Sequence, residues 1–391
     1  MILDANYPMD VRVKKEISSL KDEFIVELFC SKSSPDSDST FRIHRKGPST
    51  KKMSKGFREI AIAAFAIDPI MYFRLKTFLK NNTFDSIHVH DLPQFSTVAK
   101  VNKQLSSNLI LDLHENYPEA VRTWFAWRKS LLIRIKNYLF FSFKKWHKLE
   151  KEAVEVADHI IAVVQEMKAK LIREHNVPSD KITVITNSET STFGNEENNV
   201  KSLFDNNKFN VLYMGGIGPH RGLDDVILAM PHLKDLPILF HIYGGGHPDN
   251  LQFLKSLVKA NNVSQQVCFH SPVPFNSVAS LMRSADLNII PHKKNEHCDN
   301  TIPHKLFQAM TIKKPLLVSN SLPLERTLEY GKLGYIFTAD SPKSLSIEMR
   351  KIYSDYPSAL AKAQLAFEKV TIGNLNWEQE GSKLKKLYLS L

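Results

Sequence analysis

Short apolar runs alternate with amphipathic segments along most of the chain. Runs such as 211–214, 238–243 and 287–290 are almost wholly apolar, which is typical of strands buried on both faces of a parallel sheet. Helical periodicity returns between these runs. This alternation occurs in two series, and it predicts two doubly wound α/β domains that face each other, with a ligand in the cleft between them.

The polar, acidic stretch 189–207 separates the two series and is typical of a linker. We therefore expect a first domain over 1–188 and a second over 208–374. The remaining segment, 375–391, follows the natural end of the second sheet. It is predicted to form a basic C-terminal helix.

The stretch Ala285–Asn320 is predicted to form a strand, a polar loop, a helix from about Pro303 and a further strand. A polar loop that leads into a helix N-terminus at the carboxyl edge of a sheet is a place where α/β proteins bind phosphates. Lys305, one turn into this helix, could reach such a phosphate. The alternative is an ordinary β-α-β unit with a solvated loop and a surface lysine.

A glycine-rich segment, GGIGPHRG, follows the apolar run VLYM. Gly216 and Gly218 would let the backbone approach a ligand closely, and Arg221 could pair with a diphosphate through its forked guanidinium. Gly244 lies in a second turn of this kind. The spacing is not the dinucleotide-binding fingerprint, so a tight strand–helix turn without a ligand is the alternative for both segments.

Several histidines of the first half follow predicted strands. His90 and Asp91 end one strand, and His114 and Glu115 end another. A histidine in this position serves function or structure about equally often. The histidines near Cys298 match no zinc-ligand spacing, so no metal site is predicted among them.

The basic charge of the chain is uneven. Residues 1–150 carry 25 Lys and Arg against 16 Asp and Glu, whereas residues 151–391 carry 27 against 25. A basic first half favours an anionic neighbour such as a phosphorylated ligand, an anionic membrane or nucleic acid. The three cysteines form no disulfide framework. No leader or membrane-spanning run is evident, so we expect a cytoplasmic chain.

The segment 124–148 is rich in tryptophan, phenylalanine and cations, and it has no acidic residue from 128 to 148. It is predicted to form one basic amphipathic helix that lies in a membrane interface. The alternative is a domain helix whose apolar stripe belongs to the core. The expected membrane contacts are Trp124, Trp127, Arg128, Lys129, Arg134, Lys136, Lys144 and Lys145.

Seven stretches of the chain occur in a fixed order. They are NYPMDVRVKKEISSL, FDSIHVHDLP, LDLHENYPE, VADHIIAVVQEM, KITVITNS, VLYMGGIGPHRG and NTIPHKLFQAMTIKKPLLVSN. Together they carry more information than any one of them, and through them the chain resembles the retaining GT-B glycosyltransferases of family 4 over nearly its whole length.

This resemblance implies two Rossmann-like domains, with the C-terminal helix crossing back to the first. The second domain would bind a UDP- or GDP-linked sugar and the first an acceptor, without a metal or cofactor. Arg221 and Lys305 would hold the donor diphosphate, and His114 would lie near the donor sugar. Further donor contacts would come from Gly216, Gly218, Gly244, Asn300, Thr301, Ile302 and Gln308. The acceptor side would include Asp10, His90, Asp91 and Glu115.

The chain departs from the family pattern at several positions. Asn300 and Gln308 replace two glutamates, of which the second binds ribose hydroxyls. Gly216 replaces an arginine, and the first loop has no glycine between Met1 and Asp10. An amide at 308 can still hydrogen-bond ribose, whereas Asn300 supplies no charge.

The expected function is therefore sugar transfer to a lipid-linked saccharide in bacterial surface polysaccharide or glycolipid synthesis, on the inner face of the cell membrane. Three alternatives remain open at this stage. They are a nucleotide-sugar epimerase on the same fold, a non-catalytic nucleotide- or glycan-binding subunit, and, with less support, nucleic-acid binding.

Overall fold

The computed structural model of the protein describes residues 1–33, 41–45, 67–80, 82–125, 142–195 and 204–391. The chain divides into two compact units. The first unit is Met1–Asn187 with Glu380–Leu391, and the second is Ser188–Gln379. This division places residues 188–195 and 375–379 in the second unit, whereas the sequence predicted a first domain ending at 188, a linker over 189–207 and a C-terminal helix from 375 that returns to the first domain.

The first unit contains a parallel sheet of seven described strands in the order β3-β2-β1-β4-β5-β6-β7. The strands are β1 (Ile2–Tyr7), β2 (Glu27–Ser33), β3 (Arg42–Arg45), β4 (Ser86–His90), β5 (Asn108–Leu113), β6 (His159–Ala162) and β7 (Ile182–Val184). The connecting helices are α1 (Val11–Leu20), α2 (Pro69–Lys80), α3 (Leu92–Asn102), α4 (Tyr117–Phe125), α5 (Phe143–Val156) and α6 (Gln165–His175).

The second unit contains a parallel sheet of six described strands in the order β10-β9-β8-β11-β12-β13. The strands are β8 (Phe209–Met214), β9 (Ile238–Tyr243), β10 (Val267–His270), β11 (Leu287–Ile290), β12 (Leu316–Ser319) and β13 (Tyr335–Phe337). The helices are α7 (Leu223–Ala229), α8 (Pro248–Ala260), α9 (Val278–Ser284), α10 (His304–Met310), α11 (Leu322–Thr327), α12 (Pro342–Ser354) and α13 (Tyr356–Thr371). The last helix, α14 (Trp377–Ser390), begins in this unit and ends in the first.

The apolar runs of the sequence form strands that are buried in the cores of the two units. Strand β11 is buried at all four positions, and β5 is buried at five of six. In the second unit, side chains of β8 and β9 pack with those of α7, α8 and α12 into one cluster that includes Val211, Phe240 and Met349. Strands covered on both faces tolerate few polar side chains, so each exception in these sheets calls for an explanation.

The prediction of one continuous helix over 124–148 is wrong. Helix α4 ends at Phe125, and Ser142 has an extended backbone immediately before α5 begins. Trp146, on the predicted apolar stripe, is buried against Tyr117 with ring centroids 4.5 Å apart. Lys144 is exposed and Lys145 half-buried. The other predicted membrane contacts, Trp127, Arg128, Lys129, Arg134 and Lys136 together with the side chain of Trp124, lie outside the described residues.

Candidate functional site

The sheet of the second unit reverses its strand order between β8 and β11. The chain moves outward from β8 to β9 and β10, and then returns to the other side of β8 and continues through β11, β12 and β13. The connections that leave β8 and β11 therefore part in opposite directions. The crevice at the carboxyl ends of two such strands is where open α/β sheets bind ligands.

The glycine-rich loop after β8 is locked against the loop after β11. Gly222 has φ +66°, and a Cβ there would overlap the carbonyl oxygen of Pro291. Gly244 has φ +152°, and a Cβ would overlap the carbonyl oxygen of Gly215. Both positions need glycine because an L side chain is strained at positive φ and because backbone occupies the space. By contrast, a Cβ at Gly216 would meet nothing within 4 Å, and one at Gly218 would approach the ring of His220 at 3.0 Å.

Lys305 points from the first turn of α10 toward this loop. Its Nζ lies 3.0 Å from the Tyr213 hydroxyl and 4.1 Å from the centre of the Tyr213 ring. The Tyr213 hydroxyl donates in turn to the carbonyl of Gly216 at 2.6 Å. The Tyr213 hydroxyl thus donates its proton to the Gly216 carbonyl, and its oxygen accepts a hydrogen bond from the Lys305 ammonium. The second contact holds Lys305 beside the glycine loop.

Arg221 lies at the end of the same loop. Its guanidinium donates to Nε2 of His292 at 2.9 Å, so that histidine carries its proton on Nδ1. Burial and the charge of Arg221 lower the pKa of Lys305 well below its ordinary value. Neither Arg221 nor Lys305 forms an ion pair with a carboxylate anywhere in the described ranges. Two neighbouring cations without a counter-charge are the arrangement that an anionic ligand would stabilise.

Two histidines beside this cation pair, His220 and His292, are neutral. Burial, with the charge of Arg221, lowers the pKa of His220 to about 2, and the same causes hold the pKa of His292 well below its ordinary range. Neutral rings add hydrogen-bonding groups without competing for an anion. Any positive charge at the site therefore resides on Arg221 and, when its amine is protonated, on Lys305.

The remaining predicted donor residues line the loop before α10. Asn300 is buried, and its amide donates to the backbone carbonyl of Glu296 at 2.8 Å. The Thr301 hydroxyl donates to the carbonyl of His297 at 3.0 Å, and Ile302 is buried. These contacts stabilise the loop that presents the N-terminus of α10.

Gln308 has a specific partner that the sequence did not suggest. Its Nε2 donates to Oε2 of Glu189 at 3.1 Å, and His304 Nε2 lies 2.6 Å from the same oxygen. Gln308 and Glu189 are both buried. A glutamate at 308 would bring a second carboxylate against Glu189, so the amide at this position suits its surroundings.

A second cluster lies in the first unit, where the strand order reverses between β1 and β4. Its centre is Asp112, which is fully buried in β5. Arg12 of α1 binds both carboxylate oxygens, Nη2 to Oδ1 at 2.9 Å and Nε to Oδ2 at 3.1 Å. This forked pair, with its long separation in sequence, ties α1 to the carboxyl end of the sheet and holds the pKa of Asp112 well below its usual range despite burial.

His114 lies at the end of β5 between two carboxylates. Its Nε2 is 2.9 Å from Asp112 Oδ2, and its Nδ1 is 3.7 Å from Asp91 Oδ2. Burial opposes its charge, but Asp91 and Asp112 outweigh that cost and raise the pKa of His114 to about 10. Asp91 has φ +66°, a strained conformation that turns its side chain toward His114, whose backbone N–H donates to it at 3.2 Å. His114 is therefore an imidazolium at neutral pH.

The interior of this cluster is crowded with titratable groups. His90 is buried, with Nδ1 at 3.3 Å from Asp112 Oδ2 and 3.2 Å from His114 Nε2. Glu16 contacts Arg12 at 2.9 Å. Burial and the charge of Asp112 nevertheless raise the pKa of Glu16 to about 8. His88 bonds the Tyr388 hydroxyl of α14 at 2.8 Å.

Of the predicted residues in the first unit, the structure brings His90, Asp91 and His114 together. Asp10 accepts from the backbone N–H of Val13 at 3.1 Å and caps α1, and Glu115 is half-buried beside His114. Sequence reasoning missed Arg12, Glu16 and Asp112. A signal was present: Asp112 interrupts an otherwise apolar strand, and Arg12 and Glu16 are spaced to lie on one face of α1.

Four groups of this cluster, on Glu16, His90, Asp112 and His114, converge closely enough to hold a metal ion. The guanidinium of Arg12 already occupies both oxygens of Asp112 and contacts Glu16. A fixed cation within this set makes it a poor place for a second one.

Two family models match the chain. The model described as "Glycosyltransferase Family 4" matches residues 24–188, and the one described as "Glycosyl transferases group 1" matches residues 194–367. A curated protein, the putative colanic acid biosynthesis glycosyl transferase WcaI of Escherichia coli (strain K12), is 26% identical over 172 residues. That alignment spans 42% of this chain and 40% of the relative, less than half the length of either.

Solved structures match over almost the whole chain. Sucrose-phosphate synthase from Thermosynechococcus elongatus has a TM-score of 0.77 at 16% identity, covering 100% of this chain and 98% of that one. HepE of Anabaena in complex with UDP-glucose gives 0.74 at 13%, with coverages of 100% and 99%. WaaG, a glycosyltransferase involved in lipopolysaccharide biosynthesis, gives 0.71 at 14%, with 98% of each chain covered.

The two parallel-sheet units and these structural matches define the class: the chain has the GT-B fold. The family models then place it more narrowly. It belongs to the glycosyltransferases of the group 1 and family 4 type. None of the helices in the described part of the chain combines the length and the apolar character that crossing a membrane requires.

Proposed function

We propose that the protein transfers a sugar from a UDP- or GDP-linked donor to a lipid-linked saccharide in bacterial surface polysaccharide or glycolipid synthesis. The cation pair at the strand reversal of the second unit carries this proposal. Neither Arg221 nor Lys305 has a carboxylate partner among the described residues. A nucleotide diphosphate would supply that negative charge. HepE, a protein of the same fold, has been solved in complex with UDP-glucose, and WaaG is a glycosyltransferase involved in lipopolysaccharide biosynthesis.

In this proposal the cation pair stabilises the charge that develops on the leaving diphosphate, a role that a divalent ion performs in other enzymes. The bond between the anomeric carbon and the diphosphate oxygen breaks. The acceptor oxygen bonds to the same face of the sugar, and its proton passes to the leaving diphosphate. Transfer then retains the anomeric configuration and needs no carboxylate nucleophile, so the amides at Asn300 and Gln308 are compatible with it.

The diphosphate assignment is tested with Arg221→Gln and Lys305→Met. Each variant should keep the wild-type melting temperature and lose at least about tenfold in UDP or GDP affinity, because a charge-assisted contact contributes about 1.5–3 kcal/mol. Lys255→Met is the matched control, since Lys255 is exposed and lies over the Phe269 ring elsewhere in the same unit. Unchanged nucleotide affinity in both site variants would refute the assignment.

Anomeric configuration and metal use are tested on the product and the rate. Proton NMR of the glycosylated acceptor should show the configuration of the donor, and addition of Mg²⁺ or Mn²⁺ should leave the initial rate unchanged. Conversion of the donor without any acceptor would instead favour an epimerase. Nucleotide binding with no turnover in the presence of lipid-linked saccharides would favour a non-catalytic subunit.

We also propose that the segment 124–148 attaches the protein to the inner face of the cell membrane. Its support is the sequence, which has no acidic residue between 128 and 148. Vesicles containing phosphatidylglycerol should sediment the protein at low salt and release it at high salt. Replacing Arg128, Lys129, Arg134 and Lys136 by Gln should abolish sedimentation, whereas replacing four exposed lysines of the second unit, Lys234, Lys255, Lys259 and Lys343, should not. Equal sedimentation of both variants would contradict this attachment.

A further inference from the structure

A group of three potential metal ligands lies on β9 and β10, the last two strands at one edge of the second sheet. His241 is on β9, and Cys268 and His270 are on β10, the edge strand. The strands are in register with Cys268 beside His241, so the three side chains share one face of the sheet. Their ligand atoms all lie within 4.8 Å of one another.

The orientation of His241 follows from its neighbour Asn210. The Asn210 Nδ2 donates to the carbonyls of Asp205 and Lys208 at 3.0 and 2.9 Å, so its amide oxygen must face the other way. That oxygen lies 3.0 Å from His241 Nε2, which therefore carries the proton. The lone pair of His241 is then on Nδ1, which points to His270. Metal-bound histidines are held in the same way, with the second ring nitrogen donating to an outer partner.

The distance between the two histidine nitrogens is close to that of a tetrahedral site, and the Cys268 sulfur lies within 4.8 Å of both. His241 Nδ1 and His270 Nε2 are 3.1 Å apart. Two imidazole nitrogens bound to one zinc ion at tetrahedral angles are about 3.3 Å apart, and a nitrogen and a sulfur about 3.6 Å apart. Little movement is needed to bring both nitrogens onto one ion. His270 also stacks on Tyr243, with ring centroids 4.1 Å apart and planes 9° from parallel, which fixes its plane.

We propose that His241, Cys268 and His270 bind a divalent transition metal ion of the zinc type. One thiolate and two imidazoles form a borderline-soft set that selects Zn²⁺ over Mg²⁺ or Ca²⁺. His241 is buried, while Cys268 and His270 are half-buried, so an ion can enter from the edge of the sheet and keep water as its fourth ligand. On binding, the Cys268 thiol releases its proton and the His270 proton moves from Nε2 to Nδ1.

The ion would clip the edge strand β10 to β9 and would be structural. It is separate from the proposed metal-free chemistry at Arg221 and Lys305, and it does not depend on that chemistry. It also differs from the histidine set near Cys298, for which the sequence predicts no metal. The spacing His-x26-Cys-x-His matches no familiar zinc motif, which is why only the pairing of the strands brings these ligands together.

Cobalt titration of the full chain tests the proposal, because a Co²⁺–thiolate bond gives a near-ultraviolet charge-transfer band that nitrogen and oxygen ligands lack. The wild type should bind one Co²⁺ with this band and release it to Zn²⁺. Cys268→Ala should lose the band, and His270→Gln should bind Co²⁺ more than about a hundredfold more weakly, since even outer partners of a metal site contribute 10- to 100-fold. Cys30→Ala and Cys298→Ala are the matched controls and should keep the band.

The outcomes separate the alternatives. Co²⁺ binding without a charge-transfer band would place the ion at another site, such as the carboxylate–histidine groups around Asp112, and would overturn the proposal. Loss of the band in Cys298→Ala but not in Cys268→Ala would also overturn it. Should a ligand variant fail to fold, X-ray absorption of the zinc-loaded wild type still decides: one sulfur and two imidazole nitrogens support the site, and any shell without sulfur refutes it.

Discussion

The ammonium of Lys305 donates to the Tyr213 hydroxyl at 3.0 Å and lies 4.1 Å from the centre of the same ring. Because the hydroxyl proton is bound to the Gly216 carbonyl, Tyr213 both accepts from the lysine and anchors the glycine loop. One side chain thus connects the strand β8, the loop that follows it and the cation from α10. Tyr213 is a positioning residue for the proposed diphosphate site.

Tyr213→Phe should keep the ring under Lys305 and remove only the hydroxyl. A hydrogen bond to a charged group contributes about 1.5 kcal/mol, so we expect UDP or GDP to bind about tenfold more weakly by calorimetry. Tyr335→Phe is the control, since Tyr335 also lies under a lysine, Lys362, at 4.6 Å, but on β13. Nucleotide affinity that does not change in Tyr213→Phe would show that the hydroxyl does not position Lys305.

Nucleotide binding should take up protons through Lys305. Burial and the charge of Arg221 lower the pKa of this lysine in the ligand-free site, and a bound diphosphate would raise it again. Between the two pKa values the complex holds more protons than the free protein, so affinity should fall as pH rises. Calorimetry in buffers of different ionisation enthalpy measures the uptake directly.

Lys305→Met should abolish this proton uptake, whereas Lys255→Met should leave it unchanged. Binding enthalpies that are identical in all buffers for the wild type would mean that Lys305 stays charged in the free site. That outcome would contradict the predicted linkage without bearing on whether nucleotide binds.

The fold was predictable because its signals are local. Fully buried parallel strands such as β11 appear in the sequence as nearly continuous apolar runs, interrupted in β11 by Asn288. Arg221 and Lys305 stay predicted site residues, and they were selected because they lie in a loop and a first helical turn with suggestive neighbours. The single helix predicted over 124–148 was wrong because the backbone is extended at Ser142, a break that amphipathic periodicity does not reveal. Amphipathic periodicity does not distinguish a membrane-facing side from a core side, and Trp146 packs on Tyr117.

The buried polar pairs, one an ion pair and one an amide–carboxylate hydrogen bond, were not predictable because they join distant parts of the chain. Arg12 and Asp112 are 100 residues apart, and Gln308 and Glu189 are 119 apart. Propensity and periodicity carry no information about such pairs. Asp112 was detectable only as an isolated acid in an apolar strand, with no indication of which cation would meet it.

Gln308→Glu should destabilise the second unit, because it places a buried carboxylate against Glu189. We expect a loss of about 2–3 kcal/mol in the free energy of unfolding, similar to other unpaired buried polar groups. The double variant Gln308→Glu with Glu189→Gln restores one acid and one amide and should recover most of that loss. Chemical denaturation of the four proteins measures the coupling.

Gln364→Glu is the solvent-exposed counterpart, since Gln364 donates to Glu368 at 2.8 Å on the surface of α13. It should change the free energy of unfolding by less than about 0.5 kcal/mol. If Gln308→Glu is as mild as this control, Glu189 does not explain the amide at 308.

Glu16→Gln should flatten the dependence of stability on pH in the first unit. Burial and Asp112 raise the pKa of Glu16 from its ordinary 4.5 to about 8. The contribution of protonated Glu16 to the free energy of unfolding is therefore fully present below pH 4.5, and it is lost as pH rises through 8. Between these two pH values, the free energy of unfolding of the wild type should fall by up to about 1.4 kcal/mol per pH unit because of this group. The Glu16→Gln variant, with a neutral amide, should not show this fall.

The measurement is the thermal unfolding midpoint from pH 5 to 8.5, with Glu23→Gln as control because Glu23 pairs with Lys385 at the surface. The control should follow the wild-type curve. A Glu16→Gln curve parallel to the wild type would show that Glu16 is ionised throughout and that Arg12 dominates its surroundings.

Gly222→Ala should destabilise the loop that carries Arg221. Its φ of +66° is strained for alanine, and the new Cβ would overlap the carbonyl oxygen of Pro291. We expect a cost of about 2 kcal/mol or more in the free energy of unfolding, together with weaker nucleotide binding, because the loops after β8 and β11 must separate.

Gly216→Ala is the matched comparison, since its Cβ would meet nothing within 4 Å. It should leave the unfolding free energy within about 0.5 kcal/mol of wild type and affect only ligand affinity. Equal destabilisation by both alanines would mean that the contact between Gly222 and Pro291 does not hold the two loops together.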